Sequence, residues 1–331
     1  MKILIANQRG ETRDSFLVPE TMEKIYALGQ VEENPFPREF TPEELTQRMR
    51  GVDILLTGWG SEPVTRDVLR AADALKLHVH VGGSVAAYTS KEEFDAGITV
   101  LSGNDIFAQS VAEGCIGYML MAQRRMPKYM AAMADMGWKQ AEDQFYEGLL
   151  GKRVGLVGYG TITRYLCRLL KAFDTELLVY SSYPVPDPEV RQANLEEIFS
   201  TCDIISLHSA WNKRTEGMIR QEHFARMKEG ALFVNTARGP IVEEAAMKEA
   251  LVSGRIRAIL DVYHNEPLAA DDILRSLTNV YLLPHMAGPT TDMRARVGRA
   301  LAEDMERFLQ GEACRYQITP EAAARMTIDR R

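Results

Sequence analysis

The strongest constraint on this chain is a regular alternation of short apolar runs with amphipathic helical stretches. Strands fit residues 2–6, 54–57, 76–81 and 99–101 in the first third. Further along they fit 154–157, 176–180, 203–207, 232–235, 258–261 and 280–283. Runs this short and this apolar suit strands covered on both faces, and parallel neighbours need a crossover, usually a helix, to connect them. The prediction is α/β layering with parallel sheets. The later series, six strands with helices between, has the count of a doubly wound domain.

Helix signals agree with that pattern. A helix over 42–49 is opened by Thr41 with Glu44 three residues on, a pair that satisfies two free backbone N–H groups reciprocally. A long helix is predicted over 110–136, carrying Met119, Met121, Met126, Met130, Met133 and Met136. Packing in a core or a subunit interface accounts for these methionines better than a cofactor role does. A last long helix fits 291–309, followed by a short polar tail.

Composition narrows the class. At 46% apolar and 26% charged, the chain is neither disordered, collagen-like nor coiled-coil. A net charge of −7 argues against nucleic acid or an anionic membrane as partner. No apolar run approaches the ~20 residues that span a bilayer. The opening Met1-Lys2-Ile3-Leu4-Ile5-Ala6 reads as a strand rather than a signal peptide. Cys115, Cys167, Cys202 and Cys314 lie far apart without a C-x-x-C pair, so reduced thiols and a cytoplasmic location are expected, without zinc or disulfides. His78 and His80 alternate along one strand, but no nearby Cys or carboxylate completes a metal site, and both read as structural.

One turn carries chemistry. Gly158-Tyr159-Gly160-Thr161-Ile162-Thr163 follows a strand and opens a helix. A first glycine permits the tight turn, and a second lets backbone N–H groups approach a pyrophosphate at the positive end of the helix dipole. The third position is Thr163 rather than glycine. About 20 residues on, where an Asp or Glu would accept the ribose hydroxyls of NAD, stands Ser181, uncharged and without a basic neighbour in sequence. NAD and NADP both remain open.

Ordered blocks around that turn resemble the D-isomer-specific 2-hydroxyacid dehydrogenases. They are Gly151-Lys152, Gly158-x-Gly160-x-Ile162, Leu207-His208 through Thr215-x-Gly217-Met218-Ile219, and Asn235-Thr236-Ala237-Arg238-Gly239. Asp261-Val262-x-x-x-Glu266-Pro267 and Pro284-His285-x-Ala287-Gly288-x-Thr290 follow. The first third is a looser match through Val81-Gly82-Gly83-Ser84-Val85, Gly97-Ile98 and Val111-Ala112-Glu113, with Ser84 standing for a usual glycine and Ala86 for a usual Asp.

The resemblance implies two similar Rossmann-like or flavodoxin-like domains with the active site in the cleft. Residues 1–104 and 291–331 would form the substrate domain and residues 105–290 the dinucleotide-binding domain. It implies hydride transfer between NAD or NADP and C2 of a small D-2-hydroxy acid or 2-keto acid. His285 would be the acid/base, Glu266 its hydrogen-bond partner favouring the protonated ring, and Arg238 the fork that binds the substrate carboxylate. Gly158, Gly160, Thr161, Ile162, Ser181, His208 and Thr215 would border the nucleotide. Thr236 and Ala237 would lie against the nicotinamide, and Asp261 would bond its carboxamide. Gly82, Gly83 and Ser84 would share the substrate carboxylate. Trp59, after a strand, is a candidate either for a wall of the substrate side-chain pocket or for packing in the domain core, and Tyr88 and Met286 are further candidates for that wall. The methionine-rich helix would build a homodimer. The short stretch after His285 leads us to expect no carboxy-terminal regulatory domain. Two rivals share the scaffold: a dinucleotide-sensing co-repressor-like protein and a phosphite dehydrogenase.

Overall fold

Runs of two to five residues, most of them apolar on both faces, become parallel strands in the computed structural model, which describes residues 1–138 and 146–328. The strands fall into two units, Met1–Phe107 with Pro289–Arg331, and Ala108–Gly288.

The first unit holds β1 (Lys2–Ile5), β2 (Gln30–Glu33), β3 (Ile54–Thr57), β4 (Leu77–His80) and β5 (Thr99–Ser102). They hydrogen-bond in the order β2-β1-β3-β4-β5, all parallel. One sheet face packs Ile3, Ile5, Leu56 and Val79 against Val297, Leu301 and Met305 of helix Thr291–Leu309. The other packs Leu4 and Leu55 against Leu45, Met49 and Val68. Helix Pro42–Arg48 has the expected reciprocal cap: Thr41 N–H donates to Glu44 at 2.8 Å and Glu44 N–H to the Thr41 hydroxyl at 3.3 Å.

His78 and His80 belong to this core. His78 Nδ1 lies 2.7 Å from the buried Glu93 carboxylate, and the Thr57 hydroxyl bridges His78 Nε2 and His80 Nδ1 at 2.7 and 3.0 Å. His80 stacks on Tyr88 with ring centroids 4.2 Å apart. Burial, aided by His78, pushes the His80 pKa down to about 3, so the ring is neutral near pH 7. Tyr88 is therefore interior, at 2% exposure, and not a pocket wall.

The second unit holds β6 (Arg153–Val157), β7 (Glu176–Tyr180), β8 (Arg191–Gln192), β9 (Ile204–Leu207), β10 (Leu232–Asn235), β11 (Arg257–Leu260) and β12 (Val280–Leu282). Their order is β12-β11-β10-β9-β6-β7-β8, again parallel. The strand order reverses at β6, between β7 and β9, and crevices for ligands open at such switch points. Among the described residues no helix is long and apolar enough to cross a membrane.

Four differences from the sequence reading have physical reasons. The sheet has seven strands rather than six, because β8 is two exposed residues with no apolar signature. Strand β2, Gln-Val-Glu-Glu, is an edge strand whose polarity hid it. The helix predicted over 110–136 is two helices, Asn104–Gln123 and Met126–Ala134, broken where Arg125 adopts a left-handed φ of 50°. The polar tail pairs with the edge of β5: Ser102 N–H donates to Tyr316 O at 3.1 Å and Ile318 N–H to Val100 O at 2.8 Å. An unpaired edge is a template for such pairing.

Candidate active site

The glycine turn leaves β6 at Val157. Gly158 has φ +106°, and a Cβ there would lie 2.7–2.8 Å from the backbone N and Cα and the side-chain Oγ of Ser209, the residue two past β9. Only glycine lets these two strand ends approach so closely. Thr163 is buried, and its hydroxyl donates to the Gly158 carbonyl at 2.7 Å, so it ties the turn where a third glycine is common. Helix Thr161–Lys171 begins at Gly160 with no side-chain cap and no acidic residue in its first turn. The amides of Thr161, Ile162 and Thr163 find no acceptor among the described residues. A Cβ on Gly160 would meet nothing within 4 Å. Open space before uncapped amides at a switch point fits a pyrophosphate.

The surrounding polar groups are pinned. His208 is buried, with Nε2 2.9 Å from the Ser206 hydroxyl, and burial holds its pKa at about 4. Its Nδ1 is buried with no partner among the described residues. The Thr215 hydroxyl donates to Ala210 O at 2.6 Å and accepts the Asn212 N–H at 3.0 Å, shaping the loop after β9. Thr236 Oγ1 lies 3.3 Å from Cys115 Sγ, and Ala237 N–H donates to Asn235 Oδ1 at 3.0 Å. The Ser181 hydroxyl accepts the Tyr183 N–H at 3.1 Å.

Three candidate catalytic side chains follow consecutive strands: Arg238 after β10, Glu266 after β11 and His285 after β12. Glu266 is gripped at both oxygens. Oε1 accepts the Tyr263 N–H at 3.0 Å, and Oε2 lies 2.7 Å from His285 Nδ1. With a carboxylate as acceptor, Nδ1–H donates, which leaves Nε2 for proton exchange. His285 sits at φ +53°, a conformation sparsely used by residues with a Cβ and common at functional sites. Its imidazole is 36% exposed, open enough to meet a small molecule. Arg238 is half-buried, with Nη1 donating to Ala237 O at 2.7 Å, and its own carbonyl accepts Asn235 Nδ2 at 3.2 Å.

Two residues with supporting roles emerge from the structure. The buried Asp261 carboxylate accepts the amides of Met286 and Ala287 at 2.8 and 2.9 Å, anchoring the segment just after His285. The resemblance implied a carboxamide contact for Asp261; in the fold each of its oxygens accepts one of these backbone amides. Gly239, next to Arg238, has its Cα against the Tyr263–His264 peptide: a Cβ there would lie 2.1 Å from Tyr263 C. The Arg238 turn and the Glu266 turn thus touch backbone to backbone. The Arg238-Gly239 pair was visible in the sequence, but no local signal showed what the glycine faces.

Residues 116–287, most of this unit, match the model of the D-isomer specific 2-hydroxyacid dehydrogenase NAD binding domain. The chain belongs to the D-isomer specific 2-hydroxyacid dehydrogenase family. It is 34% identical over 266 residues to the hydroxypyruvate reductase of Thermotoga maritima, covering 79% of this chain and 86% of that one. It is 33% identical over 295 residues to the D-3-phosphoglycerate dehydrogenase of Methanocaldococcus jannaschii, covering 87% of this chain but only 56% of that one. A crystallised protein of Thermus thermophilus superposes with TM-score 0.77 at 26% identity, covering 96% of this chain and all of the other.

The first unit of this family member carries the other predicted site residues. The amides of Gly82, Gly83 and Ser84 find no acceptor among the described residues, as an anion-binding turn requires. The Ser84 hydroxyl is committed to Thr327 O at 2.6 Å. Trp59 lies edge-on to Phe16 and Phe107, with the Arg294 guanidinium 5.4 Å from its ring centroid. It packs in that cluster and also lines a shallow recess with Asn7, Arg13, Glu39 and Gly82.

Proposed function

We propose that the chain is an NAD(P)-dependent dehydrogenase acting at C2 of a small D-2-hydroxy acid, or in reverse on the 2-keto acid. The observation that carries this reading is the 2.7 Å contact between His285 Nδ1 and Glu266 Oε2, made after β11 and β12, beside the strand that bears Arg238. Gly158, Gly160, Thr161 and Ile162 would hold the dinucleotide, whose nicotinamide supplies the hydride acceptor or donor.

The remaining chemistry belongs to the chain. His285 Nε2 takes the C2 hydroxyl proton during oxidation and returns it to the carbonyl oxygen during reduction. Glu266, fixed by the Tyr263 amide, keeps the proton on Nδ1 and compensates the charge on the ring when Nε2 is protonated. Arg238 presents parallel N–H donors to the substrate carboxylate, a geometry lysine lacks.

The test is oxidation of NADH and NADPH in the presence of glyoxylate, hydroxypyruvate, pyruvate or branched 2-keto acids. Turnover with at least one is expected. Dinucleotide binding without turnover on any of them, or turnover with phosphite alone, overturns the reading. In the active assay Arg238→Lys is expected to raise KM for the keto acid at least tenfold, and an unchanged KM removes Arg238 from carboxylate binding.

Helix Met126–Ala134 exposes Met126, Met130 and Met133 at 43, 71 and 54%. A cluster of large apolar side chains on one short helix marks a protein contact surface, and we read it as the homodimer face. Sedimentation at twice the chain mass is expected, falling to the monomer in Met130→Glu. A parent that sediments as a monomer ends this assignment.

A further inference from the structure

The end of β7 lacks the carboxylate that an NAD ribose calls for, and a cation stands there instead. Arg214, from the loop after β9, donates through Nη2 to the Ser182 hydroxyl at 3.3 Å, across 32 residues of sequence. Neither Arg214 nor its neighbour Lys213 makes an ion pair among the described residues. The carboxylates that follow β7, Asp187 and Glu189, are both engaged by Lys171.

The geometry around this cation is prepared on both sides. Arg214 N–H donates to Asn212 Oδ1 at 2.9 Å, and Thr215 closes the same turn onto Ala210. Opposite, Gln192 of β8 donates to the carbonyls of Ser181 and Tyr183 at 2.9 and 3.1 Å, holding the serine turn. Ser181 Oγ accepts the Tyr183 amide and Ser182 Oγ accepts Arg214, so both hydroxyl hydrogens are left to donate outward.

Resting on the reading that the Gly158 turn binds a dinucleotide, we propose that Ser181, Ser182 and Arg214 form a 2′-phosphate site and that the chain takes NADP(H) in preference to NAD(H). The adenosine ribose of a dinucleotide lies at the end of the second strand of such a sheet, which here is β7. A carboxylate there accepts ribose hydroxyls and repels a phosphate, whereas two hydroxyl donors and a guanidinium fork match phosphate oxygens. Lys213 adds to the local positive field. The two-residue strand β8 then has a purpose, since its Gln192 fixes the serine turn.

Dissociation constants for NADPH and NADH, measured by calorimetry on the parent chain, Arg214→Ala and Arg214→Lys, decide the matter. The parent is expected to bind NADPH at least tenfold more tightly than NADH. In Arg214→Ala that ratio falls to within about threefold of unity, and Arg214→Lys restores part of it. Raising salt from 50 to 500 mM narrows the parent's ratio, as an ionic contact requires. A parent that binds NADH as tightly as NADPH overturns the proposal, as does an Arg214→Ala chain that keeps its preference. Failure of both dinucleotides to bind the parent strikes instead at the reading of the Gly158 turn.

Discussion

His285→Ala is expected to lower turnover by two to four powers of ten, about the worth of a positioned acid/base, with dinucleotide affinity within about threefold of the parent. The split follows from where the parts sit. The Gly158 turn belongs to β6 and helix Thr161–Lys171, whereas His285 follows β12 at the sheet's far edge. Its backbone is held by Asp261 through Met286 and Ala287, neither of which needs the imidazole. Stopped-flow turnover and calorimetric binding on the same preparation check both halves. Parent-like turnover removes His285 from the chemistry, and lost dinucleotide binding shows that its role was structural.

Gly239→Ala is expected to cost about 2–3 kcal/mol of stability and at least tenfold in kcat/KM. A methyl group 2.1 Å from the Tyr263 carbonyl carbon and 2.4 Å from His264 N cannot be accommodated by a rotamer change, because all of these atoms are backbone. The turns must part, and they carry Arg238 on one side and, through the Tyr263 amide, Glu266 on the other. The substitution should therefore raise KM as well as lower kcat. Gly117→Ala serves as control: it sits in helix Asn104–Gln123 with nothing within 4 Å of a Cβ, so stability should hold or rise by up to about 1 kcal/mol. Thermal unfolding and steady-state kinetics that leave Gly239→Ala equal to the parent refute the backbone-contact account.

These expectations draw on two kinds of information. Strands 54–57, 176–180 and 232–235 were readable to the residue, because a run apolar on both faces has few places to go but a covered parallel sheet. The cap at Thr41, the helix over 291–309 and the Gly158 turn were equally local, each written in neighbouring residues. The pairing of Glu266 with His285 spans 19 residues and was legible only through resemblance, since spacing alone does not bring two strand ends together.

Edge strand β8, the tail laid along β5 and the break at Arg125 were not legible. Their backbone is satisfied by partners remote in sequence or set by a single left-handed residue, and neither leaves an apolar period to read. The sequence by itself determined the apolar strands, the main helices and which reactive side chains stand at their ends. Only the tertiary structure decided that Gly239 presses on Tyr263, that Asp261 serves the backbone after His285, and that Arg214 reaches Ser182. Hydrophobic periodicity is local and survives in one dimension, whereas these contacts depend on sheet order, which brings together residues tens of positions apart.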